Sequence, residues 1–407
     1  MSKSFVGVWL GQTVSILGSG MTWFALTIWA WQASGQPSAL STVSFFAFLP
    51  TVLFTPLAGV FVDRWNRKTV MALSDSATAI GTLFILILFS TGQLQLWHIY
   101  IISALAGFFT AFQYPAYMAA VTTLLPKEQY GRAQGMLGLS PALSGILAPV
   151  FAAALLDRIG MRGIMLIDLA TFGLALATLA WARIPQPETS PVGQDSRGSL
   201  WREMQFGFKY IYAKTGLRSL AALFVLANFF LAIGATLVAP LVLSQTGNDE
   251  GVLAAVQSLG AVGGISGGIV LSVWGGPQRR VHAVFLGGAG ACLLGITWLG
   301  LGTSFLLWAA GSFFFAFFEP MVEGNNLAIW QARVEADVQG RVFSARQLLV
   351  QIPYLLGILV SGPLAESISG IAPLLILAGL AGSFIFLSGY AFRSTREVEV
   401  LHPELGA

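Results

Sequence analysis

Three acids stand well inside long apolar stretches of this sequence, Asp168, Glu319 and Glu323, and they are the residues best placed to do chemistry. A charge near the centre of a bilayer costs ~2.5 to 3.5 kcal/mol on insertion scales, so an acid kept there is a functional candidate by default. A carboxyl short of water can bind and release a proton, which makes all three candidates for proton coupling. Glu319 and Glu323 are four residues apart and share a helical face, with Asn326 a further three on. Pro320 and Gly324 beside them loosen that helix. Both glutamates are expected to be short of bulk water, with at most one ionised at a time, because two carboxylates this close in low dielectric repel. Gln12, Gln113, Tyr114, Asn228 and Asn326 are further polar candidates for a substrate cavity. No Lys or Arg is placed near the middle of a span, so a neutral, cationic or amphiphilic substrate is expected rather than a small anion.

The elements that position these residues follow from the charge distribution. Of 407 residues 56% are hydrophobic, and only 39 carry a charge, against ~25% in soluble domains. The stretches 4–62, 76–126, 133–156, 219–248, 281–318 and 367–392 contain no Asp, Glu, Lys or Arg. A spanning helix needs ~20 mostly apolar residues, so each stretch holds at least one. Cutting at Gly, Pro and charge clusters gives twelve spans: 5–31, 40–62, 69–91, 96–123, 133–156, 163–183, 216–243, 251–274, 281–301, 303–330, 342–365 and 371–392. The fold class is an all-α polytopic membrane protein. Its expected domains are a six-helix bundle over 1–183, a linker over 184–215, a second bundle over 216–392 and a tail over 393–407.

The linker opens with Pro185, Pro187, Pro191 and Gly193. Farther on, Leu200, Met204 and Phe208 recur every fourth residue among basic side chains, the pattern of a helix lying on a surface. Basic residues resist translocation, and nearly all 21 Lys and Arg fall on one side of a both-ends-inside arrangement, with only Arg158 and Arg162 outside it. That places both termini in the cytoplasm. The single cysteine, Cys292, excludes an intrachain disulfide, and His98, His282 and His402 lack ligand spacing, so neither a metal nor a cofactor is expected.

The halves echo each other: Gly131-Arg132 and Gly340-Arg341 are 209 residues apart, and the same offset carries Gly59, Asp63 and Trp65 onto Gly268, Ser272 and Trp274. Paired repeats of this kind build transporters with the site between them near the midplane. Between spans two and three the sequence reads Gly59-x-x-x-Asp63-Arg64-x-x-Arg67-Lys68, followed by Asp75. This resembles the signature loop of the major facilitator superfamily, complete at its charged positions. The wider wording, with Gly11-Gln12 and Val14-Ser15 in span one and Ile167-Asp168 with Phe172 in span six, resembles the branch of macrolide-efflux and enterobactin-exporter-like proteins. Gly145-x-x-Ala148-Pro149-x-x-Ala152-Ala153 in span five resembles the exporters' Gly- and Pro-rich motif with Ala at three Gly positions, a face for close helix packing. Gly260, Gly263, Gly264, Gly267 and Gly268 in span eight form another.

The resemblance implies a major facilitator fold in which spans one, four, seven and ten line the cavity. It also implies a conformational latch of Gly59, Asp63, Arg64, Arg67, Lys68 and Asp75, with Asp63 facing the start of span eleven near 340–344. The basic residues of this loop are candidates to neutralise Asp75 or to bind anionic lipid. The function implied is a proton-coupled antiporter that exports hydrophobic or amphiphilic small molecules by alternating access, acting as a monomer in the inner membrane. A dedicated lipid, siderophore or metabolite carrier and a transport-inactive sensor are the alternatives. Nucleic acid is not an expected partner, and no Ser/His/Asp set, metal cluster or facing acid pair supports an enzyme.

Overall fold

In the computed structural model, the described residues are 2–126, 129–184, 200–335, 338–367 and 370–399, and their regular structure is helical throughout. The first four helices are α1 (Lys3–Ser34), α2 (Pro37–Arg64), α3 (Arg67–Ser90) and α4 (Leu96–Leu124). The starts of α1 and α3 are capped by side chains that accept from free backbone amides. Ser2 accepts from the Phe5 amide (3.1 Å) to start α1, Asn66 accepts from the Thr69 amide (3.2 Å) to start α3, and Pro37 opens α2.

The next helix, α5 (Tyr130–Trp181), runs for 52 residues, twice the length expected of spans five and six. Gly160 interrupts it with φ 65° and ψ 178°, a conformation closed to residues with a Cβ, so α5 is two spanning arms hinged at one glycine. Among the described residues eleven helices are long and apolar enough to cross a bilayer. Division of α5 at Gly160 gives the twelve spans expected.

After α6 (Leu200–Ala213) come α7 (Thr215–Thr246), α8 (Glu250–Trp274) and α9. The last is one rod that is α-helical over Arg280–Gly290, π-helical over Ala291–Thr297 and α-helical again over Trp298–Leu301. In the π segment the Thr297 hydroxyl donates to the Cys292 carbonyl five residues back (3.1 Å). Then follow α10 (Phe305–Arg333), α11 (Gln339–Ser367), α12 (Ile371–Ser388) and the short α13 (Arg393–Arg396).

The chain forms two compact units, Met1–Ser190 with Thr246–Ser258, and Pro191–Gln245 with Leu259–Ala407. In the first, Gly20 of α1 lies where a Cβ would press on Ser144 and Ala148 (2.7 and 2.8 Å), so the small-residue face around Gly145 and Pro149 meets α1. In the second, a Cβ on Gly263 or Gly267 of α8 would overlap the carbonyl oxygens of Phe313 and Phe317 in α10. That backbone-to-backbone approach is what small residues permit between apolar helices. Gly268, expected on the same face, has nothing within 4 Å of its Cβ position.

The linker helix α6 docks on its own unit. Gly207 lets it approach the Arg341 carbonyl, Arg341 stacks over the Phe206 ring (5.5 Å), and the Tyr210 hydroxyl donates to the Glu335 carboxylate. This hydrogen bond holds Glu335 below the usual carboxylate range, with a smaller contribution from Lys214 at 3.9 Å.

Candidate functional site

The loop that follows α2 places two of its cations on helix ends. Arg67 donates to the Ala119 carbonyl near the end of α4 (3.0 Å), and Lys68 to the Ala180 and Ala182 carbonyls at the end of α5 (2.7 and 2.9 Å). Cations are stabilised there by the negative end of the helix dipole. They do not neutralise Asp75. The packing of Gly59 and the side chains of Asp63 and Arg64 lie outside the described residues.

Asp75 instead belongs to a buried polar triad. The Gln12 Nε2 donates to its Oδ2 (2.8 Å), the Gln113 Nε2 to its Oδ1 (2.5 Å), and the Gln113 Nε2 also reaches the Gln12 Oε1 (3.2 Å). With Asp75 2% exposed and Gln12 5%, the triad ties α1, α3 and α4 together inside the first unit. Gln12 and Gln113, expected in the substrate cavity, spend their amides on this carboxylate. Tyr114, one residue on, is exposed and outside the triad.

Asp168, in the second arm of α5, is the other deeply buried acid, 1% exposed. It accepts from the hydroxyls of Ser19 (3.1 Å) and Thr82 (3.3 Å).

The span-ten acids sit differently. Glu319 and Glu323 open onto a cavity of about 410 Å³ inside the second unit, with half of the Glu323 side chain accessible. The residues Asn228, Phe224, Phe315 and Phe386 form other parts of its wall. Glu323 is ion-paired to Arg346 of α11 at 2.7 Å and accepts from the Asn326 Nδ2 at 3.2 Å. Asn326 itself is fully buried, and Asn228 donates to the Phe224 carbonyl of its own helix (2.8 Å). Arg346 overturns the expectation that no fixed cation reaches the candidate site. Its side chain is 11% exposed, and the guanidinium stacks over Trp330 (5.6 Å). Among the described residues Glu319 has no ion-pair partner, so one cation serves two acids.

Arg346, Gln347, Gln351 and Tyr354 all line this cavity and were missed in the sequence. The signal was present: 347, 351 and 354 recur at i, i+4 and i+7, a polar stripe on an otherwise apolar helix, with Arg346 beside it.

The sequence profile described as Major Facilitator Superfamily matches residues 8–358. The chain belongs to the major facilitator superfamily. It is 28% identical over 384 residues to macrolide efflux protein A of Streptococcus pyogenes, covering 92% of each chain. It is 24% identical over 220 residues to the enterobactin exporter EntS of Shigella flexneri, 52% of this chain and 50% of that one. Both belong to the branch that the span-one and span-six wording resembles. Among solved structures, the nucleoside transporter NupG superposes with a TM-score of 0.72 at 12% identity, covering 96% of this chain and 100% of that one. A bacterial homolog of the human lysosomal transporter Spinster superposes with a TM-score of 0.65 at 14% identity, covering 98% of both. At those identities the likeness is one of fold. This superfamily member is therefore a multi-pass membrane transporter of small molecules.

Proposed function

We propose that this transporter is a proton-coupled exporter of hydrophobic or amphiphilic small molecules, working by alternating access in the inner membrane with both termini in the cytoplasm. The observation that carries the coupling is the Glu323–Arg346 ion pair at 2.7 Å with Glu319 one helical turn away on the same cavity. Two carboxylates and one guanidinium carry a net charge of −1 when all are ionised. Uptake of one proton, or of one positively charged group on a substrate, brings the trio to neutrality. A proton and a cationic substrate that compete for the same acids cannot occupy the site together, which is the elementary requirement of antiport. The Phe224, Phe315 and Phe386 rings give a bulky apolar body something to lie against. A proton falling through the membrane potential supplies ~2.3 kcal/mol per 100 mV, enough for roughly fiftyfold accumulation.

Export is favoured over import by the relatives named as efflux proteins and exporters, one of them matched over nearly the full length. The siderophore exporter among them keeps a dedicated siderophore carrier as a second reading, which substrate profiling separates.

The deciding experiment measures proton flux and substrate binding side by side on Glu319→Gln and Glu323→Gln in liposomes. The coupling residue, fixed as neutral, loses gradient-driven export and keeps substrate binding. Proton flux that stays in step with substrate movement in both variants places coupling elsewhere.

A further inference from the structure

The linker helix α6 turns one face to the protein and the other away from it. Gly207 and Ile211, four residues apart, are buried, and Gly207 brings α6 against the Arg341 carbonyl and the Ala345 methyl of α11. On the opposite side Gln205, Lys209 and Tyr212 recur at i, i+4 and i+7, all of them exposed, Tyr212 by 72%. This outward stripe has no role in the transport scheme above.

Its place along the chain fixes its depth. Helix α6 ends at Ala213 and α7 begins at Thr215, and Arg218, in the first turn of α7, is the last charge before the charge-free run 219–248. A stripe that ends this close to a spanning helix lies at the level of the lipid headgroups, where aromatic rings and long basic side chains collect. Arg218 turns back toward α6: its guanidinium lies 4.9 Å from the centre of the Tyr212 ring and donates to the Tyr212 carbonyl at 3.3 Å. A second exposed guanidinium, that of Arg341, lies over Phe206 at the edge of the same helix.

These cations are left without acids. Glu335, the acid that α6 contacts, is occupied by the Tyr210 hydroxyl and by Lys214. Among the described residues Lys209, Arg218 and Arg341 form no ion pair. Marking topology needs only positive charge, whereas here two guanidinium groups are held over rings beside an exposed lysine.

We infer that the outward stripe of α6, together with Arg218, is a docking surface for the headgroup of an anionic phospholipid, with Lys209 and Arg218 on the phosphate and Tyr212 at the edge of the acyl chains. Each cation near an anionic surface strengthens binding about fivefold, so the two together give a preference of roughly twentyfold for anionic over zwitterionic lipid. The consequence reaches the candidate site by a short path. Helix α6 lies on Arg341 of α11, and Arg346, one turn and a half farther along α11, holds Glu323 at 2.7 Å. A lipid that favours docked α6 therefore favours the placement of the start of α11. The surface depends on membrane embedding alone, and on neither the coupling nor the direction of transport.

The test is hydrogen exchange of the full chain in nanodiscs of phosphatidylcholine, with and without phosphatidylglycerol, at neutral pH. Amides of α6 exchange through local opening, and a lipid that binds only the docked helix slows them in proportion to its binding. Phosphatidylglycerol is expected to slow exchange over 205–213 and at the start of α11 at least tenfold. Lys209→Gln combined with Arg218→Gln removes that slowing and leaves exchange in phosphatidylcholine alone as in the wild type. Equal exchange of the wild type in the two lipids overturns the inference, as does a double variant that keeps the full slowing. Where the double variant already exchanges faster in phosphatidylcholine alone, Lys209→Gln by itself decides, because that exposed side chain takes no part in docking α6: at least a threefold loss of the slowing is expected, and an unchanged slowing overturns the inference. Equal slowing by soluble glycerol phosphate or by heparin, added to phosphatidylcholine nanodiscs, assigns the surface to a soluble anion or polyanion and overturns it too.

Discussion

Replacing Asp75 by Asn tests whether the buried triad holds the first unit together. The substitution keeps the volume and one acceptor oxygen but turns the other into a donor. One of the two glutamine amides, Gln12 at 2.8 Å or Gln113 at 2.5 Å, then points at an NH2 group and loses its partner. In soluble proteins a hydrogen bond to a charged group is worth ~1.5 to 3 kcal/mol, and a buried donor left unpaired costs ~1 to 3 kcal/mol. Between membrane helices the measured values are lower, averaging ~0.6 with a maximum near ~1.7 kcal/mol. The membrane scale applies to the lost bond, because all three residues sit in spanning helices, and the stranded amide adds its own cost. The sum is about 2 kcal/mol. For a unit of roughly 150 to 250 residues this lowers Tm by about 4 to 8 °C. The assay is thermal unfolding of purified protein in one fixed detergent. Asp75→Asn combined with Gln12→Glu returns a carboxylate to the triad that accepts from the new amide at position 75 and from the Gln113 Nε2, and half or more of the lost Tm is expected back. A single variant within 1 °C of wild type, or a double variant no better than the single, refutes the reasoning.

Three further outcomes are expected. Asp63→Asn abolishes transport with insertion intact, because it removes a charge at the end of α2 and hardly alters hydrophobicity, whereas Ser272→Ala has a milder effect, since the second half has no acid there and the Ser272 hydroxyl donates to the Gly268 carbonyl of its own helix (2.8 Å); transport assays on both variants check this, and equal damage argues for a symmetric latch. Gly267→Leu forces α8 from the Phe317 carbonyl of α10 and displaces the span-ten glutamates, so expression of folded protein falls and any recovered protein shows altered proton flux, while Gly268→Ala, in open space, is neutral in the same assays. The Glu335 carboxylate is held low by Tyr210, so its contribution to docking of α6 is fully present above the ordinary glutamate value near ~4.3 and is lost as pH falls below it through the depressed value; hydrogen exchange of α6 amides rises there, and Glu335→Gln removes that pH dependence.

The number and placement of the spans were legible because membrane insertion sums hydropathy over ~20 residues, a property of composition. Lys3, Arg67 and Arg132 stand in the first turns of α1, α3 and α5, and where a break falls inside a charge-free run a glycine marks it, Gly35 after α1 and Gly92 after α3. The amphipathic linker helix was legible too, since one face must differ chemically from the other when a helix lies at a surface. Which way each spanning helix turns was not, because lipid and protein interior are equally apolar and leave little sequence trace of the inward face. Tertiary structure therefore decided that Gln12, Asp75 and Gln113 meet across separations of 63, 38 and 101 residues. It decided that Asp168 and Asp75 are the enclosed acids while Glu319 and Glu323 open onto a cavity. It also turned Arg346 from a marker of topology into the partner of Glu323, since a long side chain one or two turns inside a helix reaches as far as its neighbours permit.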